Sequence, residues 1–292
     1  MKALDTYNPI PIAVHLVAVA AVAMLCVNPI VLCIALCGAL ALALLRHDVK
    51  HARTHLLFWG LFALTVLLNP LFSHNGATVL LVIGNKPLSL EALLWGAASA
   101  TAILATLYLF ADFSAIMQSD KLLYLLGVLS PRLSLIFSMA LRYVSLLSEQ
   151  WRRIKQTQTV LGLYKEDNVI DRARGSLRIF WVLLGWSLEN GIVTAGSMSA
   201  RGYGTGKRTH YAIFSFKRRD AIYLALTLAL LAGTIVPMAL GALDFAFYPT
   251  LQLTYVGALS WLGYLSYGAL IALPILTEIK EAVKWKYLRS KI

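Results

Sequence analysis

Ser197–Tyr211, SMSARGYGTGKRTHY, is a polar, glycine-rich run inside an otherwise apolar chain, and its glycines suggest a phosphate loop. That motif needs two glycines separated by four residues, then Lys, then Ser or Thr to hold magnesium. Here Gly202 and Gly206 are separated by three residues, Arg208 follows Lys207, and the run follows a predicted helix rather than a strand. The spacing therefore argues against a nucleotide site. His47, His51 and His55 stand four residues apart and would share a helix face, which could offer imidazoles to a metal. A basic loop flanking a membrane, with incidental histidines, is the preferred reading of them. Cys33 and Cys37 have two-ligand spacing but no His or carboxylate near them on that face, so with Cys26 they read as small core hydrophobes. Glu91, Asp112 and Asp244 fall near the ends of predicted spans, where water is close, and suggest no proton or ion relay. No nucleophile elbow, zinc-protease signature or plausible catalytic carboxylate pair is present, and no cofactor or metal is implied.

The elements that carry these residues belong in a membrane. The chain has 292 residues, 59% of them hydrophobic, a mean hydropathy of +0.71 and a formal net charge of +12. Such apolar content excludes an ordinary soluble domain. Runs long enough to span a bilayer disfavour nucleic-acid binding as the reason for the charge. No cleavable signal peptide is evident, since the first apolar run, 12–27, continues through Asn28-Pro29 into another. Predicted spans are 11–27, 29–45, 56–72, 90–112, 220–242 and 251–276, with Pro29 breaking the first hairpin. With the N-terminus inside, Lys86 is the one basic residue left outside and the other 25 Lys and Arg are cytoplasmic.

Between the fourth and fifth spans, residues 113–219 hold 16 of the 26 Lys and Arg residues. Two long helices are predicted there, 131–160 and 169–200. In the first, Leu133, Ile136, Phe137, Ala140, Leu141, Val144 and Leu147 recur at helical spacing. The second contains IFWVLLGWSLENGIV, apolar enough to suggest a seventh span. Glu189, Asn190, Arg174 and Arg178 instead favour a helix lying along the membrane surface. The expected fold is all-α: a polytopic membrane protein of about six transmembrane helices, divided as 1–112, 113–219 and 220–292, with the cytoplasmic helix pair in the middle part.

Asn69-Pro70-Leu71-Phe72, SMALRYV (Ser138–Val144) and GSMSARGYGTGKRTHY (Gly196–Tyr211), in that order, resemble the transmembrane T component of energy-coupling factor (ECF) transporters. The likeness spans most of the chain and is most specific from Ala140 to Tyr211. It implies a non-catalytic bacterial cell-membrane subunit, and the charge bias places both termini in the cytoplasm. It further implies that the chain joins two cytoplasmic ABC ATPase subunits to a small substrate-binding membrane S component for vitamin or metal-ion uptake. Two Arg-centred motifs at the ends of the coupling helices would dock into grooves on the ATPases. The second matches Ala200-Arg201-Gly202. The first, aligned back from NVIDRARGSLRI, falls on Val160-Leu161-Gly162, where Leu161 replaces the Arg; Ala173-Arg174-Gly175 lies about a dozen residues later and offers Arg174 as a possible substitute.

The residues alone make docking at Arg201 reasonable. A cation at a helix carboxyl end complements the macrodipole, and Gly202 suits a positive φ beyond it. The guanidinium fork then projects to bind a carboxylate with two parallel hydrogen bonds. Two rival readings stay open: a self-sufficient permease or channel, disfavoured by the scarcity of mid-span polar groups, and a membrane enzyme acting on lipid head groups, disfavoured by the lack of an acid–base pair near Arg201.

Overall fold

A computed structural model describes residues 3–46, 52–72, 78–83, 86–164, 168–206, 214–248, 252–253 and 257–289. After a short 3-10 turn, Ala3–Thr6, the helices are α1 (Pro9–Leu25), α2 (Pro29–Arg46), α3 (Ala52–Phe72), α4 (Leu90–Ile116), α5 (Ser119–Leu129), α6 (Pro131–Val160), α7 (Val169–Ala200), α8 (Arg218–Ala239) and α9 (Ala258–Arg289). Small antiparallel pairs accompany them: β1 (Val79–Ile83) with β2 (Lys86–Ser89), and β3 (Phe245–Ala246) with β4 (Gln252–Leu253). The all-α polytopic class is thus what the chain adopts, with α6 and α7 where their periodicity placed them.

The hairpin breaks are written in the sequence. Asn8 begins α1 by accepting the Ile10 N–H at 3.0 Å, and prolines follow at the first helical turn, where a missing N–H costs nothing. Asn28 repeats the device for α2, accepting the Ile30 N–H at 2.9 Å. Its amide also donates to the Leu243 carbonyl and the Tyr264 hydroxyl, each at 2.9 Å, so the turn is pinned to the chain's far end.

The chain divides into two compact units, one of residues 1–122 and 214–292 and the other of 123–213. In the first, α1, α2, α4 and α9 share a core that includes Val19, Val31, Ala35, Leu104, Tyr108 and Leu270. Small residues bring backbones together there, as membrane helices require: a Cβ on Gly38 would lie 1.8 Å from Ile271 Cγ2. Cys26 is buried, but Cys33 and Cys37 are exposed, contrary to the reading of all three as core. The face of α2 turned to the core is that of Val31, Ala35 and Ala39, and these two cysteines lie off it.

One end of this unit carries a buried ionic cluster. Arg46, the last residue of α2, donates to Glu278 of α9 and, at 3.3 Å, to Asp5. Lys121 near the start of α5 reaches Asp5 at 3.4 Å, and the Leu4 N–H donates to Glu278 at 3.3 Å. The N-terminal turn, the end of α2, the start of α5 and residue 278 therefore lie at one end of the unit, as alternating passes of α1 to α4 require.

Among the described residues five helices, α2, α4, α7, α8 and α9, are long and apolar enough to cross a membrane, and α1 is a shorter apolar helix. The expectation of six spans had kept α7 on the surface. Its arginines gather at its start, however, and an 18-residue window with at most two charges remains. Only 6% of that window is buried within the chain, so α7 exposes more of its apolar surface than the other four. The fifth and sixth spans begin at Arg218 and Ala258 rather than at 220 and 251.

Candidate functional site

In the second unit, α6 and α7 end in the same way. At the end of α6 the Leu161 N–H donates to the Thr157 carbonyl, Gly162 to Thr159 and Leu163 to Gln158. At the end of α7 Arg201 donates to Ser197, Gly202 to Ser199 and Tyr203 to Met198. Both are Schellman-type caps that turn through a glycine of positive φ, +69° at Gly162 and +78° at Gly202. Leu161 and Arg201 thus occupy equivalent cap positions, each held by satisfied backbone rather than by a loose loop.

Their chemistry differs. Arg201 is exposed, and its guanidinium makes no ion pair or hydrogen bond among the described residues. Ala200 before it is exposed too. At the other cap, Val160, Leu161 and Leu163 are 88%, 65% and 50% exposed, an apolar knob in place of a cation. Arg174 lies within the second turn of α7 rather than at a helix end, and it is exposed. Its neighbour Gly175 has a packing reason to be glycine, since a Cβ there would lie 2.5 Å from the Tyr164 ring. Lys155 sits 4.7 Å over that ring, and Arg178 donates to the Leu163 carbonyl at 3.4 Å. Positive charge therefore flanks the Leu161 cap without occupying its tip.

Beside the α7 cap, α6 and α7 enclose a groove of about 340 Å³. Arg142 of α6 and Arg201 both line it, with Met139 and Met198 among its apolar walls. Arg142 was not singled out from the sequence, although it stands inside SMALRYV; the signal was a cation on the apolar-patterned stretch of α6. Across the groove the Tyr143 hydroxyl and Thr194 Oγ1 lie 3.1 Å apart.

The other sequence candidates separate from this site. His55 Nδ1 is 2.8 Å from the Tyr108 hydroxyl in the first unit, while His47 and His51 fall outside the described residues. Among the described residues no three His, Cys, Asp or Glu side chains are placed to hold a metal. Glu91 accepts the Thr78 N–H at 3.2 Å and the Thr78 hydroxyl at 2.8 Å, holding the segment before β1. The glycine-rich run continues α7 as a turn through Gly206, with Gly204 at φ +92°; Lys207 and Arg208 lie outside the described residues.

Residues 7–211 match the family described as cobalt transport protein, CbiQ, a range that includes both caps and the groove. The energy-coupling factor transporter transmembrane protein EcfT of Streptococcus thermophilus is 31% identical over 112 residues, which are 38% of this chain and 42% of that relative's length. With the greater part of its length matched, the chain belongs to the CbiQ cobalt transport protein family.

Proposed function

We propose that the chain is the coupling scaffold of an ECF-type importer, a non-catalytic bacterial cell-membrane subunit with both termini in the cytoplasm. It links two cytoplasmic ABC ATPase subunits to a separate substrate-binding S component that takes up a vitamin or a metal ion. The observation that carries this reading is the pair of identically capped helices, with Arg201 presented bare at one tip and Leu161 at the other. A rigid helix with a satisfied cap transmits displacement from its tip, which a frayed end would absorb. Ala200 and Gly202 let a partner's backbone approach the guanidinium, while Val160, Leu161 and Gly162 form the second contact through apolar burial. Exposed side chains of α6 (Ile136, Phe137, Leu141, Val144) and of α7 (Phe180, Trp181, Ile192) supply the surface for the S component and lipid. The basic ends of α2 and α9 favour the cytoplasmic side.

The test is to purify the chain from its own membranes with what it holds, comparing wild type with Arg201→Glu. The substitution is expected to abolish recovery of the ATPase subunits while membrane insertion is unchanged. A full complement of ATPases on the Arg201→Glu chain would refute the docking role.

A further inference from the structure

We propose that the groove between α6 and α7 is a carboxylate-binding cleft, in which Arg142 and Arg201 together grip an acidic side chain of an ATPase partner and the Met139 and Met198 walls receive an apolar neighbour of that acid. This rests on the reading of Arg201 as a docking residue and adds to it a second cation and the chemistry of the occupant.

The accounting of donors leads there. Thr194 Oγ1 donates its single hydrogen to the Asn190 carbonyl at 2.7 Å. In the 3.1 Å contact with Tyr143 the tyrosine hydroxyl must then be the donor, so its hydrogen is used as well. The Ser197 hydroxyl donates to the Val193 carbonyl at 2.8 Å. Every hydroxyl of the described residues that line the groove is thereby committed within it. The donors left over are the Arg142 and Arg201 guanidiniums and the Asn190 amide, none of which bonds through its side chain to another described residue. Among the described residues no Asp or Glu lines the groove.

Two exposed guanidiniums and an amide, with no counter-charge among the described groove residues, suit an anion. A carboxylate with its several lone pairs can accept from both forks, and charge-assisted bonds of this kind are about twice as strong as neutral ones. The carboxyl end of α7 by itself disfavours an anion, so the two guanidiniums must outweigh it; cap bonds to the Ser197, Met198 and Ser199 carbonyls leave those oxygens less open to compete for the arginine donors. The groove floor is also preorganised: the Tyr143–Thr194 bond fixes the spacing of α6 and α7 where the two arginines line the cleft. The methionines suit an apolar side chain, since their thioethers adapt to varied shapes.

The test uses the full chain in nanodiscs and the ATPase subunits that co-purify with it, measuring their affinity for wild type, Arg142→Gln, Arg142→Lys, Arg201→Gln and the Arg142→Gln/Arg201→Gln pair. Each Gln substitution is expected to weaken association ~10- to 100-fold, the range of one charge-assisted hydrogen bond. Arg142→Lys keeps the charge but loses the fork, and should recover only part of the loss. Because both arginines hold one group, the pair should lose less than the product of the single losses. If Arg142→Gln binds like wild type while Arg201→Gln is weakened, or if the two losses multiply, the shared cleft is refuted and the docking reading stands. If Arg201→Gln also binds like wild type, the docking reading itself fails. A parallel series in phosphatidylglycerol and phosphatidylcholine nanodiscs covers the lipid alternative. Loss of bound phosphatidylglycerol on Arg142→Gln, with ATPase affinity unchanged, would make the occupant a lipid head group and overturn the proposal.

Discussion

Replacing Glu278 by Gln should be among the most damaging conservative substitutions in the first unit. The Arg46 side chain is 2% exposed and Glu278 11%, and their contact is the shortest of the cluster. The amide introduced by Glu278→Gln keeps an oxygen for the Leu4 N–H, but it no longer neutralises the guanidinium. Asp5 remains 3.3 Å from Arg46, yet at 41% exposure its charge is screened by water and shared with Lys121. Breaking a buried pair by removing one partner costs about 3–5 kcal/mol, and the surviving Asp5 contact places this case near the low end. Removing both charges is different. Arg46→Met with Glu278→Gln leaves Asp5 and Lys121 as a neutral pair and keeps an oxygen for the Leu4 N–H, and the double variant should lie near wild type, since removing both charges of a buried ion pair is often neutral or better. The measurement is unfolding in mixed micelles titrated with sodium dodecyl sulfate and followed by helical circular dichroism. A loss below about 1 kcal/mol for Glu278→Gln, or a double variant as unstable as the single one, would show that Arg46 is hydrated and that the cluster does not hold this end together.

Burial pushes the Lys121 ammonium below its ordinary 10.5, with Asp5 pulling the other way. The unfolded chain then binds more protons between the folded and unfolded values, so stability rises as pH climbs through that interval to 10.5; Lys121→Gln should flatten this part of a stability–pH profile, and an unchanged slope would show the group is solvated. Gly175→Ala would place a Cβ 2.5 Å from Tyr164 Cδ2 and 3.0 Å from Cε2, forcing the ring off its seat and away from Lys155. A loss of about 1–3 kcal/mol is expected in the same titration, and adding Tyr164→Ala should remove the part due to the clash, so strictly additive losses would refute this contact.

Much of the architecture was legible in the residues because helix ends are local events. Asn8 and Asn28 announce the starts of α1 and α2, each bonding an N–H two residues on. Gly202 announces the end of α7 because a turn through positive φ is cheap only for glycine. The apolar spacing of 133–147 and the long run after Arg178 fixed α6 and α7 without any knowledge of their neighbours. Tertiary structure decided what no local pattern encodes. The Leu4 N–H meets Glu278 across 274 residues, and with Arg46 and Lys121 it joins a cluster whose members look in sequence like scattered membrane-flanking charges. Arg142 reads as one cation on an apolar stretch until α7 comes to lie beside it and places Arg201 in the same groove. Cys33 and Cys37 read as core until packing turned another face of α2 inward. Periodicity tells which residues share a face, because that depends only on the helix's own geometry. Which face meets a neighbour, and which charges lose their water there, depends on contacts between segments far apart in the chain.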